Sequence, residues 1–165
     1  MIEDATYVER LKWAAEQGSK NLGEKFTTGD NMNKEAQTTL TYVLVAMGAT
    51  FAYAFEGLAS PITVLTATAA VMCGFYTCLG IWLVKRTFLI GNFPSPYQEP
   101  QNLAKDPEVA LKDVILAEIN LMKERIDEAN EWISRKSKAV NLTRKALVWS
   151  PVGFVIVSIG CRLTI

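Results

Sequence analysis

The sequence predicts an all-α integral membrane protein: a transmembrane helical hairpin, a third transmembrane segment and a cytoplasmic helical bundle. Three observations predict it. Charge is gathered into blocks, three long stretches outside those blocks are almost free of it, and the charged blocks repeat with helical spacing. The chain has 165 residues, 50% hydrophobic and 21% charged, with a formal net charge of zero. Seven acids and five bases precede Ala36, and nine acids and eleven bases lie from Lys85 to Lys145; only Glu56 and Arg162 fall elsewhere. A soluble domain scatters its charges every few residues, so this pattern favours a bilayer as solvent for the uncharged stretches.

Residues 1–35 form the first charged block. In Glu3 to Leu22, Tyr7, Val8, Leu11, Ala15 and Leu22 return near helical spacing, which predicts an amphipathic helix. It is expected to pack on the chain's own cytoplasmic helix, with Tyr7 and Trp13 also suited to lipid headgroups. Gly23 to Asn33 (GEKFTTGDNMN) is rich in turn and cap residues, so the helix is expected to end there.

Residues 36–84 predict the hairpin. Its first span is Ala36 to Phe55, closed by Glu56; its second lies in GLASPITVLTATAAVMCGFYTCLGIWLV, from Gly57 to Val84. At about 1.5 Å per residue, each is long enough for a hydrocarbon core of roughly 30 Å. The connection from Glu56 to Pro61 has no Lys or Arg, whereas both flanking blocks are rich in them. The positive-inside rule then puts the turn outside and the N-terminus in the cytoplasm of a multi-pass inner-membrane protein. No short apolar region near Met1 suggests a cleaved signal peptide.

Residues 85–145 return to the cytoplasm. TFLIGNFPSPYQEPQNLAKDP holds four prolines and predicts an irregular ribbon. Glu108 to Lys145 predicts one long helix with Asp106 as N-cap and Pro107 in its first position. Ile115, Ile119, Met122, Ile126, Ala129 and Ile133 alternate spacings of four and three, a heptad seam for self-association or for covering the N-terminal helix. Glu131 precedes Arg135 by four, a favourable surface pair. Residues 146–165 contain the third apolar segment, Ala146 to Cys161, expected to continue the long helix with a kink at Pro151. Its 16 residues rise only about 24 Å, so a span here needs Lys145 and Arg162 to snorkel.

Little in the chain suggests catalysis. Histidine is absent, which removes the usual general base and the commonest metal ligand. There is no phosphate-binding glycine loop or nucleophile elbow, and Cys73, Cys78 and Cys161 match no zinc spacing. The expectation is a non-enzyme with no cofactor and no metal.

The second span is rich in small and hydroxyl side chains. In lipid, helices pair through close backbone approach and polar contacts. Thr66, Ala70, Gly74 and Cys78 form one small-residue ridge; Gly48, Ala52 and Glu56 form another, and the two are expected to close the hairpin. Thr63, Thr66, Thr68, Tyr76 and Thr77 exceed what a closed hairpin needs, suggesting contacts between protomers or a partly wet lumen. A ring of Glu56 carboxylates at the outer mouth would favour cations. Arg135, Lys136, Lys138, Arg144 and Lys145 sit beside the third segment. They suit membrane lipid headgroups, or an anionic nucleotide or oligonucleotide.

The layout resembles the small multi-pass membrane effectors of bacterial anti-phage and abortive-infection systems, including the channel subunit of Hailong-type systems. QGSKNL and KNLGEKF, TLTYVLVAMGATFAYAF, YQEPQNL and the long helix carry the resemblance across the whole chain. Holins share the three-span outline but lack so long a cytoplasmic helix. The resemblance implies a homo-oligomer that perturbs the membrane when a cytoplasmic protein partner or nucleotide signal changes. The expected function is a pore or ion-channel-like effector. The alternative is a non-conducting anchor that holds a soluble partner through the long helix.

Overall fold

Charge segregation and apolar length translate into three long helices among the described residues. The computed structural model describes residues 2–57, 63–88 and 110–164. Helix α1 is Ile2–Glu56, α2 is Val64–Thr87 and α3 is Leu111–Thr164. All three are long and apolar enough to cross a membrane. In the apolar window of each, 11%, 28% and 0% of the residues are buried, in chain order. Exposed Val45, Phe51, Phe55, Val148, Trp149 and Ile156 belong to this outward-facing surface. A soluble monomer does not leave so much contiguous apolar surface in water, whereas a bilayer solvates it.

Helix α1 corrects one expectation. It does not end within Gly23–Asn33 but runs unbroken to Glu56. The reason lies in a longer rhythm than the local turn signals. Val8, Ala15, Leu22, Gly29, Ala36 and Val43 recur every seven residues, with Leu11, Gly18, Met32 and Thr39 between them, and all are buried or half-buried. Packing along such a seam outweighs the weak helix propensity of Gly, Asn and Thr. Thr27 and Thr28 turn their hydroxyls back onto the carbonyls of Gly23 and Glu24 instead of capping a terminus.

Helix α2 starts where its threonines make it start. Thr63 is the N-cap: its side chain accepts from the Thr66 amide at 3.2 Å, and its own amide donates to Thr66 Oγ1 at 3.0 Å. This is a capping box with threonine in place of the usual glutamate. Lys85 and Arg86 occupy the last turn, where cations complement the helix dipole.

Helix α3 carries the long charged helix and the third apolar segment as one element, and the 16-residue apolar run within it is still bounded by Lys145 and Arg162. It passes through Pro151, which cannot donate to the carbonyl of Leu147. Ser150 Oγ donates to that carbonyl instead, at 2.7 Å. The Asp106–Pro107 cap and most of the proline ribbon lie outside the described residues.

The described residues pack as two units. One draws on Met1–Asn31 and Gly91–Ser134. In it Gly18 faces Met122: a Cβ at Gly18 would come within 3.0 Å of Met122 Sδ, so the missing side chain lets the helices approach. The second unit draws on Met32–Ile90 and Arg135–Ile165. Its core joins Ala36, Leu83 and Val140, then Val43, Met72 and Tyr76 with Leu147 and Phe154 against them. Partners rise together on α1 and α3 and run oppositely on α2. Within this unit α1 and α3 are therefore parallel, with α2 antiparallel to both.

Candidate functional site

The second unit holds nearly all the charged and small residues singled out above, and the structure sorts them by face. An α-helix turns about 100° per residue. Five cations between Arg135 and Lys145 therefore cannot share one side.

Two turn inward towards α1. Lys136 is only 4% exposed, and its ammonium donates to Asn33 Oδ1 at 2.7 Å. Burial pushes its pKa below the ordinary lysine range. Arg144 is half-buried; its Nη1 donates to Glu35 Oε2 at 3.0 Å and its Nε to Thr39 Oγ1 at 3.1 Å. The other three, Arg135, Lys138 and Lys145, are exposed. Arg135 and Lys138 stand with Arg86 of α2 around a small cleft. Asn33, Glu35 and Thr39 on the α1 side, and Arg86 in the cleft, are partners that the sequence does not reveal. Asn33 and Glu35 lie at or just beyond the end of the stretch whose composition predicts a turn, so no local signal marks them as partners.

The ridges are placed otherwise than expected. Ala70, Gly74 and Cys78 on α2, and Gly48, Ala52 and Glu56 on α1, are exposed. A Cβ added at Gly48 or Gly74 would meet nothing within 4 Å. The buried side of α2 instead carries Thr68, Ala69, Met72, Tyr76, Gly80, Leu83 and Thr87. At Gly80 a Cβ would lie 3.4 Å from Val43 Cγ1, which marks the close approach to α1. Beside this contact a groove of about 500 Å³ runs between α1 and α2, lined by Leu40, Leu44, Met47, Ile81 and Val84 and ending at Lys85.

The threonines have local partners. Buried Thr39, Thr68, Thr87 and Thr143 each donate to the carbonyl four residues earlier, at 2.7 to 3.0 Å. Exposed Thr77 does the same to Cys73, at 2.8 Å. Thr63 and Thr66 are spent on the cap. These hydroxyls need no water-filled path to be satisfied.

Of the heptad residues, Ala129 is fully buried while Ile115, Ile119, Met122, Ile126 and Ile133 are half-buried within the first unit. Met122 meets Gly18 of the same chain. Among the described residues no group of three or more Cys, Asp or Glu side chains gathers as metal ligands do.

What the geometry defines is a class: an all-α chain with three helices able to cross a bilayer. Comparison with protein-family models, with curated proteins and with solved structures finds no match.

Proposed function

We propose that the chain is an oligomeric, channel-like effector of the inner membrane, non-enzymatic, with its N-terminus and charged blocks in the cytoplasm. The observation that carries this reading is the outward placement of the small-residue ridges Gly48–Ala52 and Ala70–Gly74–Cys78. In lipid, a helix face without side-chain bulk is where another helix approaches closely. A second copy of the chain fits there, and Thr77 and Glu56 are exposed on these same two helices. Closing copies into a ring would bring such polar groups around a shared axis.

Control from the cytoplasm follows from helix continuity. Helices α1 and α3 each pass from a charged stretch to an apolar one with no break. A cytoplasmic protein partner or an anionic nucleotide that prefers one packing of their charged portions would bias the apolar portions too. This is also the layout that resembles abortive-infection effectors.

The test uses Cys78, which is exposed on the ridge. With Cys73 and Cys161 changed to Ser, oxidation in vesicles is expected to link copies through Cys78. Gly74→Leu is expected to abolish both the link and ion flux, and Glu56→Gln to weaken cation preference. A chain that stays monomeric in vesicles and passes no ions refutes the proposal.

One observation favours the second reading, a non-conducting anchor for a soluble partner. The threonine hydroxyls close on their own helices, so they give no sign of a wet stripe. Cys78 linkage combined with an intact ion barrier would select the anchor.

A further inference from the structure

The cleft between α2 and α3 has a chemistry of its own. It holds about 220 Å³ and is lined by Trp82 and Arg86 of α2 and by Arg135, Lys138, Ala139 and Leu142 of α3. Three basic residues from two helices thus line one small space, and none of its other lining residues is acidic. The helix dipole accounts for Arg86 in the last turn of α2, but not for Arg135 and Lys138, which lie in the middle of α3.

The cleft is also graded along its length. On α2, Trp82 lies one turn from Arg86 on the side of the apolar stretch. On α3, Leu142 lies one turn from Lys138, again on the side of the apolar stretch, and is 56% exposed. Charge therefore stands at one end of the cleft, with an indole and an aliphatic side chain at the other. That is the order of a phosphate headgroup above its acyl chains, and tryptophan is at home at this depth. Size separates the two anion sources suggested by the charge. At about 220 Å³ it is small beside the pockets of about 300–1,000 Å³ that enclose a drug-sized molecule, so a nucleotide would be held there by its phosphates alone. A phospholipid needs only its headgroup to enter, leaving its chains in the bilayer.

We infer that the α2–α3 cleft is a discrete binding site for the phosphate headgroup of an anionic phospholipid, held by Arg86, Arg135 and Lys138 with Trp82 beneath them. Lys136 and Arg144, which turn towards α1, take no part in it. The inference needs the membrane but not the channel, and its test reads lipid binding and not flux.

The full chain in detergent is titrated with phosphatidylglycerol, phosphatidylcholine, inorganic phosphate and ATP, and bound molecules are counted by native mass spectrometry. Expected is one saturable phosphatidylglycerol per chain, with the other three probes binding more weakly. Each of Arg86→Gln and Lys138→Gln should weaken binding about five-fold, the effect of one basic residue near a membrane surface. Lys145→Gln, exposed in the same region but outside the cleft, should leave it unchanged. Both lining residues are exposed, so their loss spares the core; if Arg86→Gln does not fold, Lys138→Gln carries the test alone. Equal loss in Lys145→Gln would mean a diffuse basic field and overturn the site. Binding of ATP or free phosphate as tight as that of the lipid would overturn its assignment to a phospholipid.

Discussion

Arg144 of α3 joins two acceptors one turn apart on α1: Glu35 Oε2, at 3.0 Å, and Thr39 Oγ1, at 3.1 Å. Thr39 in turn donates its hydroxyl to the Glu35 carbonyl, so a buried side chain has both its donor and acceptor used. The guanidinium fork makes this double contact possible, because Nε and Nη1 diverge to reach both oxygens. The Arg144 and Glu35 side chains remain 43% and 45% exposed, so solvent screens their attraction.

A double-mutant cycle between Arg144→Ala and Glu35→Ala should therefore give a coupling of only about 0.5–1 kcal/mol, falling with added salt. Arg144→Lys should keep the ion pair but lose the Thr39 bond, so it should not restore full stability. Thermal unfolding in detergent at low and high salt measures both. A coupling that ignores salt would show that packing, not charge, joins the two residues.

Gly57 allows a second prediction. It is buried just after the end of α1, and a Cβ there would overlap the Thr66 side chain in the first turn of α2. Thr66 cannot easily yield, since its hydroxyl is held in the capping box. Gly57→Ala should destabilise the hairpin by about 1–3 kcal/mol through overpacking. Gly48→Ala and Gly74→Ala, which meet open space, should leave a monomeric chain as stable or slightly stabler, because alanine favours helix. Unfolding midpoints of the three variants compare the sites directly.

The contrast among these glycines shows what the sequence could and could not reveal. Charge blocks located the three apolar helices, and the Lys85–Arg86 pair located the end of α2, because desolvating charge is costly enough to dominate. Which face of a span turns inward was not legible. In lipid, Gly74 facing out and Met72 facing in differ little in hydrophobic energy, so no polar-outside signal marks the faces. The unbroken course of α1 was hidden for another reason. Its turn-forming residues at 23–33 are local, whereas the seam that overrides them spans Val8 to Val43. The division of the basic cluster follows from helix geometry, but only the position of α1 makes Lys136 and Arg144 the inward pair.

Ser150 and Pro151 should act as one device. Proline leaves the Leu147 carbonyl without its helical donor, and the Ser150 hydroxyl supplies one at 2.7 Å. Ser150→Ala should cost about 1 kcal/mol beside Pro151, since the carbonyl then lacks this donor. Beside Pro151→Ala the same change should cost almost nothing, because the restored amide takes over. A cycle of the three variants that shows additive effects would separate the two residues.

Lys136 makes stability depend on pH. Burial holds its pKa below the ordinary value of about 10.4, so between the two the unfolded chain binds more protons than the folded one. Stability must therefore rise with pH through that window; the penalty for a charged, buried ammonium is fully present below the folded pKa. Asn33 offsets part of it by accepting the bond at 2.7 Å. Other groups titrate nearby, so the informative quantity is the wild-type curve minus that of Lys136→Met. The difference should shrink as pH climbs towards about 10.4, with the methionine variant equal or stabler at neutral pH, because an apolar isostere avoids the desolvation. Asn33→Leu should do the opposite, lowering stability by about 1–3 kcal/mol at neutral pH by removing an acceptor from a buried charge. If Lys136→Met instead weakens the fold at neutral pH and its difference from wild type does not vary with pH, the ammonium contributes net stability there and burial is not what governs it.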